Sequence, residues 1–402
     1  MWLWVVPFLL LATWLGAQGL NADSLWNDEF YSILDAGGPP YGPISTAEVW
    51  QRVATRNPWH APGYFMLLNG WGAAVGWQPP MLRAFSLLIG LLGIAWTYRL
   101  GAKLVSPRVG VYAAAVLSAS AFFVHYLHEL RMYTLLVLLT AFTLWIYLRV
   151  VDPARAARPI HWIGLLAGVV GMLYTHYFAA LPLVAVGLYH LIFVAKTRRW
   201  WGVVGVMALA GMLFLPWAEA LVKGLTWAEQ SEDLRARALT APEALGQLAL
   251  YFGNGATLLT IVVLLLAAVG LGFAAKGTGR VWFFAAATVG TLLVMNALLE
   301  LMHEGRVRYL LLAWAPLTIL AGFGLTQLRR LPEPWGRVGA PLALGIWVLF
   351  GAWQSGQPAF AANFDGGSQS FPVHRLAAAL RDQVQADDAI VTYLPDGLPF
   401  WA

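Results

Sequence analysis

Long apolar stretches separated by short polar connectors dominate the chain. A membrane-crossing helix needs roughly 20 mostly apolar residues. Segments that meet or approach this length are 1–20, 83–104, 109–126, 131–150, 160–176, 178–195, 201–217, 250–275, 281–300, 309–328 and 338–353. The run 160–195 contains no Lys, Arg, Asp or Glu. At about 1.5 Å per residue it is far too long for one crossing and is split near His176. The pattern therefore predicts an all-α polytopic membrane protein with about eleven spans. Met1–Leu20 lacks the basic start of a signal peptide and is read as an uncleaved first span.

The charges give this reading a sidedness. The connectors 99–108, 149–158, 196–199, 276–280 and 329–337 hold 14 of the 25 Lys and Arg residues and, of the 20 acids, only Asp152 and Glu333. Every second loop is basic, as cytoplasmic loops are. The expected topology has the N-terminus inside and the C-terminus outside. The net charge of +5 is explained by these loops, and no nucleic-acid partner is implied. With 59% hydrophobic and 11% charged residues, against about 25% charged in a soluble domain, the soluble parts are small. The absence of cysteine removes disulfides and thiolate chemistry.

The first outer loop, 21–82, carries more structure than a connector needs. "NDEFYSILDA" reads as a short helix stopped by "GGPP". "HAPGYFMLLNGWGAAVGW" (60–77) is apolar but short and Gly-interrupted, and is expected to lie in the interface or re-enter the membrane. At the other end, 354–402 pairs a helical apolar face (Val373, Leu376, Leu380, Val384) with a strand-like "DDAIVTYL". Two regions are expected: a transmembrane domain over 1–353, and an extracytoplasmic segment over 354–402. The second resembles the incomplete start of a small α/β domain.

No Asp, Glu, Lys or Arg falls in the centre of any span, which disfavours an ion-coupled transporter. Polar chemistry gathers at the outer ends of different spans: Asp28, Glu29, His60, His125, His128, Glu129, Arg131, His176, His303, Glu304, Arg306 and Arg308. Such residues can converge on one cavity beside the lipid head groups.

With these pieces in order, the chain resembles the GT-C-fold membrane glycosyltransferases of the protein O-mannosyltransferase and aminoarabinose-transferase type. These take a sugar from a polyprenyl-phosphate carrier. The matching stretches are "LWNDEFYSILDAG", "NPWHAPGYFMLLNGW", "LRAFSLLIGLLGIAWTYRLGAKL", "VHYLHELRMYTLLVLL", "YTHYFA" and "RVRYLLLAWAPLTILAGFGL". The departure is "HAP" at 60–62, where the family has His-Pro-Pro or Lys-Pro-Pro.

The resemblance implies inverting transfer to an acceptor hydroxyl with polyprenyl phosphate leaving. Such a reaction needs a carboxylate at the hydroxyl and positive charge at the phosphate. Asp28 is the expected base. Glu29 completes the acidic motif; on a helix it points about 100° away and is expected to orient the acceptor or a neighbouring helix. The plainer alternative is that both acids merely favour a helix N-terminus. In "HELRMY" (128–133), Arg131 is expected to fork onto phosphate, with Glu129 and Tyr133 in the substrate-binding set. The alternative is a polar anchor at a helix end. Arg306 and Arg308, basic residues against the inside bias, are expected at the phosphate, with lipid head groups as the competing partner. His60 is expected in the substrate-binding set, His176 as a hydrogen-bond donor to substrate phosphate or sugar, and His190 as a structural histidine. The residues fix no cofactor; His125, His128 and Glu129 have helical spacings that suit a divalent metal, with a polar anchor at a helix end as the alternative.

The partners implied are a lipid-linked sugar donor, a glycan, lipid or protein acceptor, and the bilayer, with a bacterial inner membrane as the expected location. A non-enzymatic flippase of a lipid-linked sugar would share the phosphate site without needing the base. An oligosaccharide or wall-polymer ligase would keep the chemistry with a longer donor.

Overall fold

The computed structural model describes residues 1–21, 25–38, 42–230, 238–257, 260–261, 278–300, 302–303, 307–361, 383 and 385. Helices dominate, and among the described residues no β-strand forms; Ala238 and His303 make one isolated antiparallel bridge. Seven helices are long and apolar enough to cross a membrane, or eight if one bent pair is a single span. Two shorter apolar helices, α9 (Pro159–Thr175) and the segment Tyr177–Phe193 that includes α10 (Ala180–Phe193), accompany them. Ten of the eleven expected spans thus correspond to described helices. The chain is an all-α polytopic membrane protein, sheathed in exposed apolar side chains such as Leu10, Leu92, Ile163, Ile192, Met212, Leu298 and Leu349.

The remaining expected span, 250–275, differs at its start. Helix α13 (Ala241–Phe252) ends there, and Asn254 and Gly255 take φ of 53° and 86°. Residues 258–259 and 262–277 lie outside the described ones, as do the expected helix and strand of the C-terminal segment, Glu304 and Arg306.

The first loop folds into three short helices. The helix α2 (Asn27–Ala36) follows the expected stretch and stops at Gly37, whose φ of 108° suits a residue without Cβ. Sequence reading missed α3 (Thr46–Arg56), although Ser45 and Glu48 stand at N-cap spacing and the Ser45 side chain accepts from Glu48 N. The helix α4 (Gly63–Val75) has only 13 residues, which fits an interfacial or re-entrant element.

The core packs α5 (Pro79–Leu104) against α6 (Pro107–Ser118) and α8 (Tyr133–Val150), and α6 against α15 (Trp314–Gln327). Small residues permit this. Gly101 meets Gly110, and Gly322 meets the backbone of Val109 and Ala113, so helices approach closely as membrane helices do.

The expected span 109–126 is broken. Helices α6 and α7 (Ala121–Leu127) meet at 69°. In hydrocarbon an unsatisfied backbone group costs several kcal/mol, roughly. Distant side chains satisfy this break. Asn254 accepts from Ala121 N (2.8 Å) and donates to Ala119 O (3.2 Å), and Trp314 Nε1 donates to Ser120 Oγ (2.9 Å). The bend brings the "HELRMY" loop over the ends of α1 (Val6–Gly19), α2 and α8.

Candidate active site

Adjacent acids in the first turn of α2 point in different directions and do different things. Glu29 is buried. Its carboxylate takes a two-point fork from Arg83, at the start of α5 (Nε to Oε1 2.8 Å, Nη2 to Oε2 2.6 Å). It also accepts from Leu130 N (2.9 Å). Both oxygens are engaged, and the contacts tie α2 to α5 and to the loop before α8. Arg83 was not singled out from sequence; it stood at a span end, where a basic residue has a ready explanation as an anchor.

Asp28 turns the other way, with 27% of its side chain exposed. Its Oδ2 lies 3.2 Å from Arg308 Nη1 and 3.5 Å from Arg131 Nη2. Two guanidinium groups from opposite halves of the sequence thus share one carboxylate. Arg308 lies 5.8 Å from the centres of the Trp26 and Tyr133 rings, which flank it.

Arg131 also touches His60: Nη2 is 3.1 Å from Nε2. An arginine only donates, so His60 Nε2 accepts and the ring proton sits on Nδ1. Burial, then the charge of Arg131, keeps His60 well below the usual histidine range, so it is neutral. The chain around His60 is held by the Tyr177 hydroxyl, which reaches Pro58 O (2.7 Å) and His60 O (3.1 Å) and itself accepts from Trp217 Nε1 (2.8 Å).

His176, expected at the turn between two short spans, is found there in extended backbone. Its Nδ1 accepts from Phe178 N (3.1 Å), which leaves the proton on Nε2. Burial and then Arg131 and Arg308 push its pKa down to about 3. Its ring lies 6.3 Å from His60, 6.4 Å from Tyr133 and 5.6 Å from Tyr309. Both histidines are therefore neutral hydrogen-bond donors, unsuited to delivering a proton near neutral pH. Tyr309 was missed; it was hidden as the last letter of the "RVRY" motif.

Three buried nitrogens on the residues of this cluster, Arg131 Nε, Arg308 Nε and His60 Nδ1, have no hydrogen-bond acceptor among the described residues. Leaving a buried donor unmade costs about 1–3 kcal/mol, more for charged groups. Such a cluster suits the oxygens of an anion.

The histidine–carboxylate candidates for a metal do not converge. His125 Nε2 faces Glu129 Oε2 at 3.7 Å, both buried, while the His128 ring stands 5.6 Å from that of His125 and packs against Gly19. Among the described residues no group of three or more His, Asp or Glu is arranged to hold a metal ion. His190 stacks on Trp200 and bonds to Tyr147 and to the Trp200 carbonyl, a packing role.

The helices that carry this cluster have the GT-C architecture. Residues 60–219 match the family model of dolichyl-phosphate-mannose-protein mannosyltransferase. That stretch includes His60, Glu129, Arg131 and His176 but neither Asp28 nor Arg308. ArnT from Cupriavidus metallidurans in the apo state superposes with a TM-score of 0.66 at 14% identity, over 99% of this chain and 84% of that one. The same ArnT bound to undecaprenyl phosphate gives the same figures. An oligosaccharyltransferase from Archaeoglobus fulgidus, in complex with zinc and sulfate, gives a TM-score of 0.54 at 13% identity, over 96% of this chain and 56% of that one. No curated protein sequence matches the chain.

Proposed function

We propose that this protein transfers a hexosyl or pentosyl group from a polyprenyl-phosphate donor to an acceptor hydroxyl on the extracytoplasmic side of a bacterial inner membrane. The observation that carries the proposal is Asp28 held between Arg131 and Arg308, with a buried N–H on each of Arg131, Arg308 and His60 that has no acceptor among the described residues. The family match over 60–219 and the ArnT-like fold agree with it.

In this reading the donor phosphate takes the fork of Arg131 and the Nη1 group of Arg308 that meets Asp28, while His60 Nδ1–H and His176 Nε2–H donate to phosphate or sugar oxygens. The phosphate displaces the Asp28 carboxylate, which becomes available to the acceptor. The acceptor oxygen attacks the anomeric carbon, Asp28 takes its proton, and the carbon–oxygen bond to phosphate breaks with the electron pair leaving on polyprenyl phosphate. The anomeric configuration inverts. Negative charge grows on the phosphate during the step, so the arginines interact most strongly late in the reaction, where binding energy raises the rate.

The basic connectors then face the cytoplasm, as does the N-terminus. The test is transfer of radiolabel from a polyprenyl-phosphate sugar in membranes bearing the wild-type chain or Asp28→Asn. Transfer by wild type and its loss in the variant support the proposal; wild-type transfer by the variant overturns the assignment of the base.

A further inference from the structure

Arg131 and Arg308 face one carboxylate but are held differently. Arg308 is flanked by rings. The Arg131 guanidinium is pinned by hydrogen bonds from Nη1, on the side opposite its own unpaired Nε–H. Its Nη1 lies 3.2 Å from Ser32 Oγ and 3.3 Å from the Asp28 carbonyl. Ser32 is fully buried, one helical turn after Asp28 on the same face of α2. Its hydroxyl proton is committed to the Asp28 carbonyl at 2.8 Å, so Oγ can only accept from the guanidinium.

Both protons of Nη1 thus have fixed acceptors. The Nη2 group meets His60 and Asp28 Oδ2, and Nε has no acceptor. Only the Nε–Nη2 edge is left to receive a ligand.

We infer that Ser32 is a positioning residue: it seats Arg131 by Nη1 so that the Nε–Nη2 edge stays presented to phosphate when the Asp28 carboxylate moves away. The inference rests on the proposed function. Without Ser32 Oγ, Nη1 keeps a single acceptor, the Asp28 carbonyl, and the guanidinium plane loses one of the contacts that survive the exchange of the Asp28 carboxylate for phosphate.

The probe is undecaprenyl phosphate, bound by the full chain in nanodiscs. Ser32→Ala is expected to weaken binding about tenfold, the size of one hydrogen bond to a charged group. Ser32→Cys keeps the shape with a poor acceptor and is expected to behave like Ser32→Ala, so a folding defect in one variant leaves the other informative. The deciding measurement is a double-mutant cycle. In an Arg131→Ala background, Ser32→Ala is expected to change affinity less than twofold. An equal loss in both backgrounds, or wild-type affinity in the single Ser32 variants, overturns the inference. Wild-type affinity in Arg131→Ala alone would instead defeat the phosphate role of Arg131, and with it the proposed function.

Discussion

Asp28 and Arg308, 280 positions apart in the chain, meet at 3.2 Å between Oδ2 and Nη1, and Arg131 closes on the same oxygen from a third segment. An internal carboxylate thus sits where the proposed chemistry needs an external phosphate. Replacing Asp28 by Asn removes a competing anion as well as a base. Sugar transfer is expected to fall by roughly 100-fold or more, while undecaprenyl phosphate binds more tightly than to wild type. Titration of both proteins in nanodiscs checks this; weaker binding to Asp28→Asn contradicts the exchange of one anion for the other.

Arg308 separates binding from chemistry. Lysine keeps the charge and loses the planar fork. Turnover at saturating donor is expected to fall in Arg308→Lys and further in Arg308→Ala. Steady-state kinetics with varied donor decides: if Arg308→Ala raises only the half-saturating concentration and keeps full turnover, the residue anchors a head group.

The Glu29–Arg83 fork is a structural tie, and its failure should appear in stability. Removing one partner of a buried pair leaves a lone charge, at a cost of about 3–5 kcal/mol. Glu29→Ala and Arg83→Met are each expected to lower the unfolding temperature in detergent strongly. The double variant should lose less than the sum of the two. Strict additivity in a thermal melt would show that the two side chains do not act as a pair.

Asp35 supplies a pH signature outside the cavity. It accepts from Asn57 Nδ2 at 2.8 Å, and burial pushes its pKa up to about 6 from 3.8 despite that bond. Between these values the folded state binds more protons than the unfolded one, so this group's contribution to stability falls as pH rises from about 4 to 6 and is level above. Histidines held neutral, such as His176, give the opposite slope, so the comparison must be with a variant. Asp35→Asn is expected to gain stability relative to wild type as pH rises through this window. A pH-independent difference between the two melting curves would contradict it.

The proposed sidedness is open to cysteine labelling, because the native chain has none. Gln51→Cys, exposed on α3, is expected to react with an impermeant maleimide in intact cells, and Lys196→Cys only after permeabilisation. The reverse pattern inverts the topology.

Spans were legible because lipid forces a long apolar period on the chain, and the turn at His176 showed through the length of 160–195 alone. The break between α6 and α7 was not legible: "LSASAFF" carries no Pro or Gly, and what permits the bend is Asn254 and Trp314, far away in sequence. At the site, Asp28, Arg131, Arg308, His60 and His176 could be gathered from their places at span ends. The separate work of Glu29 could not, because it depends on Arg83 and Leu130 N, and neither stands out by residue type or spacing. Ser32 was equally silent, a serine within a helix whose partner is a hundred residues away.

The capping of that break by late segments sets an order of assembly. Asn254, Trp314 and Trp347, the last donating from α16 (Trp335–Ser355) to Val116 O at 3.2 Å, all leave the ribosome long after the helix they complete. Gly351 lies against the Ala119 carbonyl with no room for a side chain. Until those residues are inserted, the kink between Ser118 and Ser120 carries unpaired backbone groups. The loop that bears Arg131 has its ties to Glu29 and Ser32, but Arg308 has not joined it. A nascent chain halted before Asn254 therefore holds the whole stretch 60–219 in the membrane and still lacks Arg308 and the side chains that pair the break.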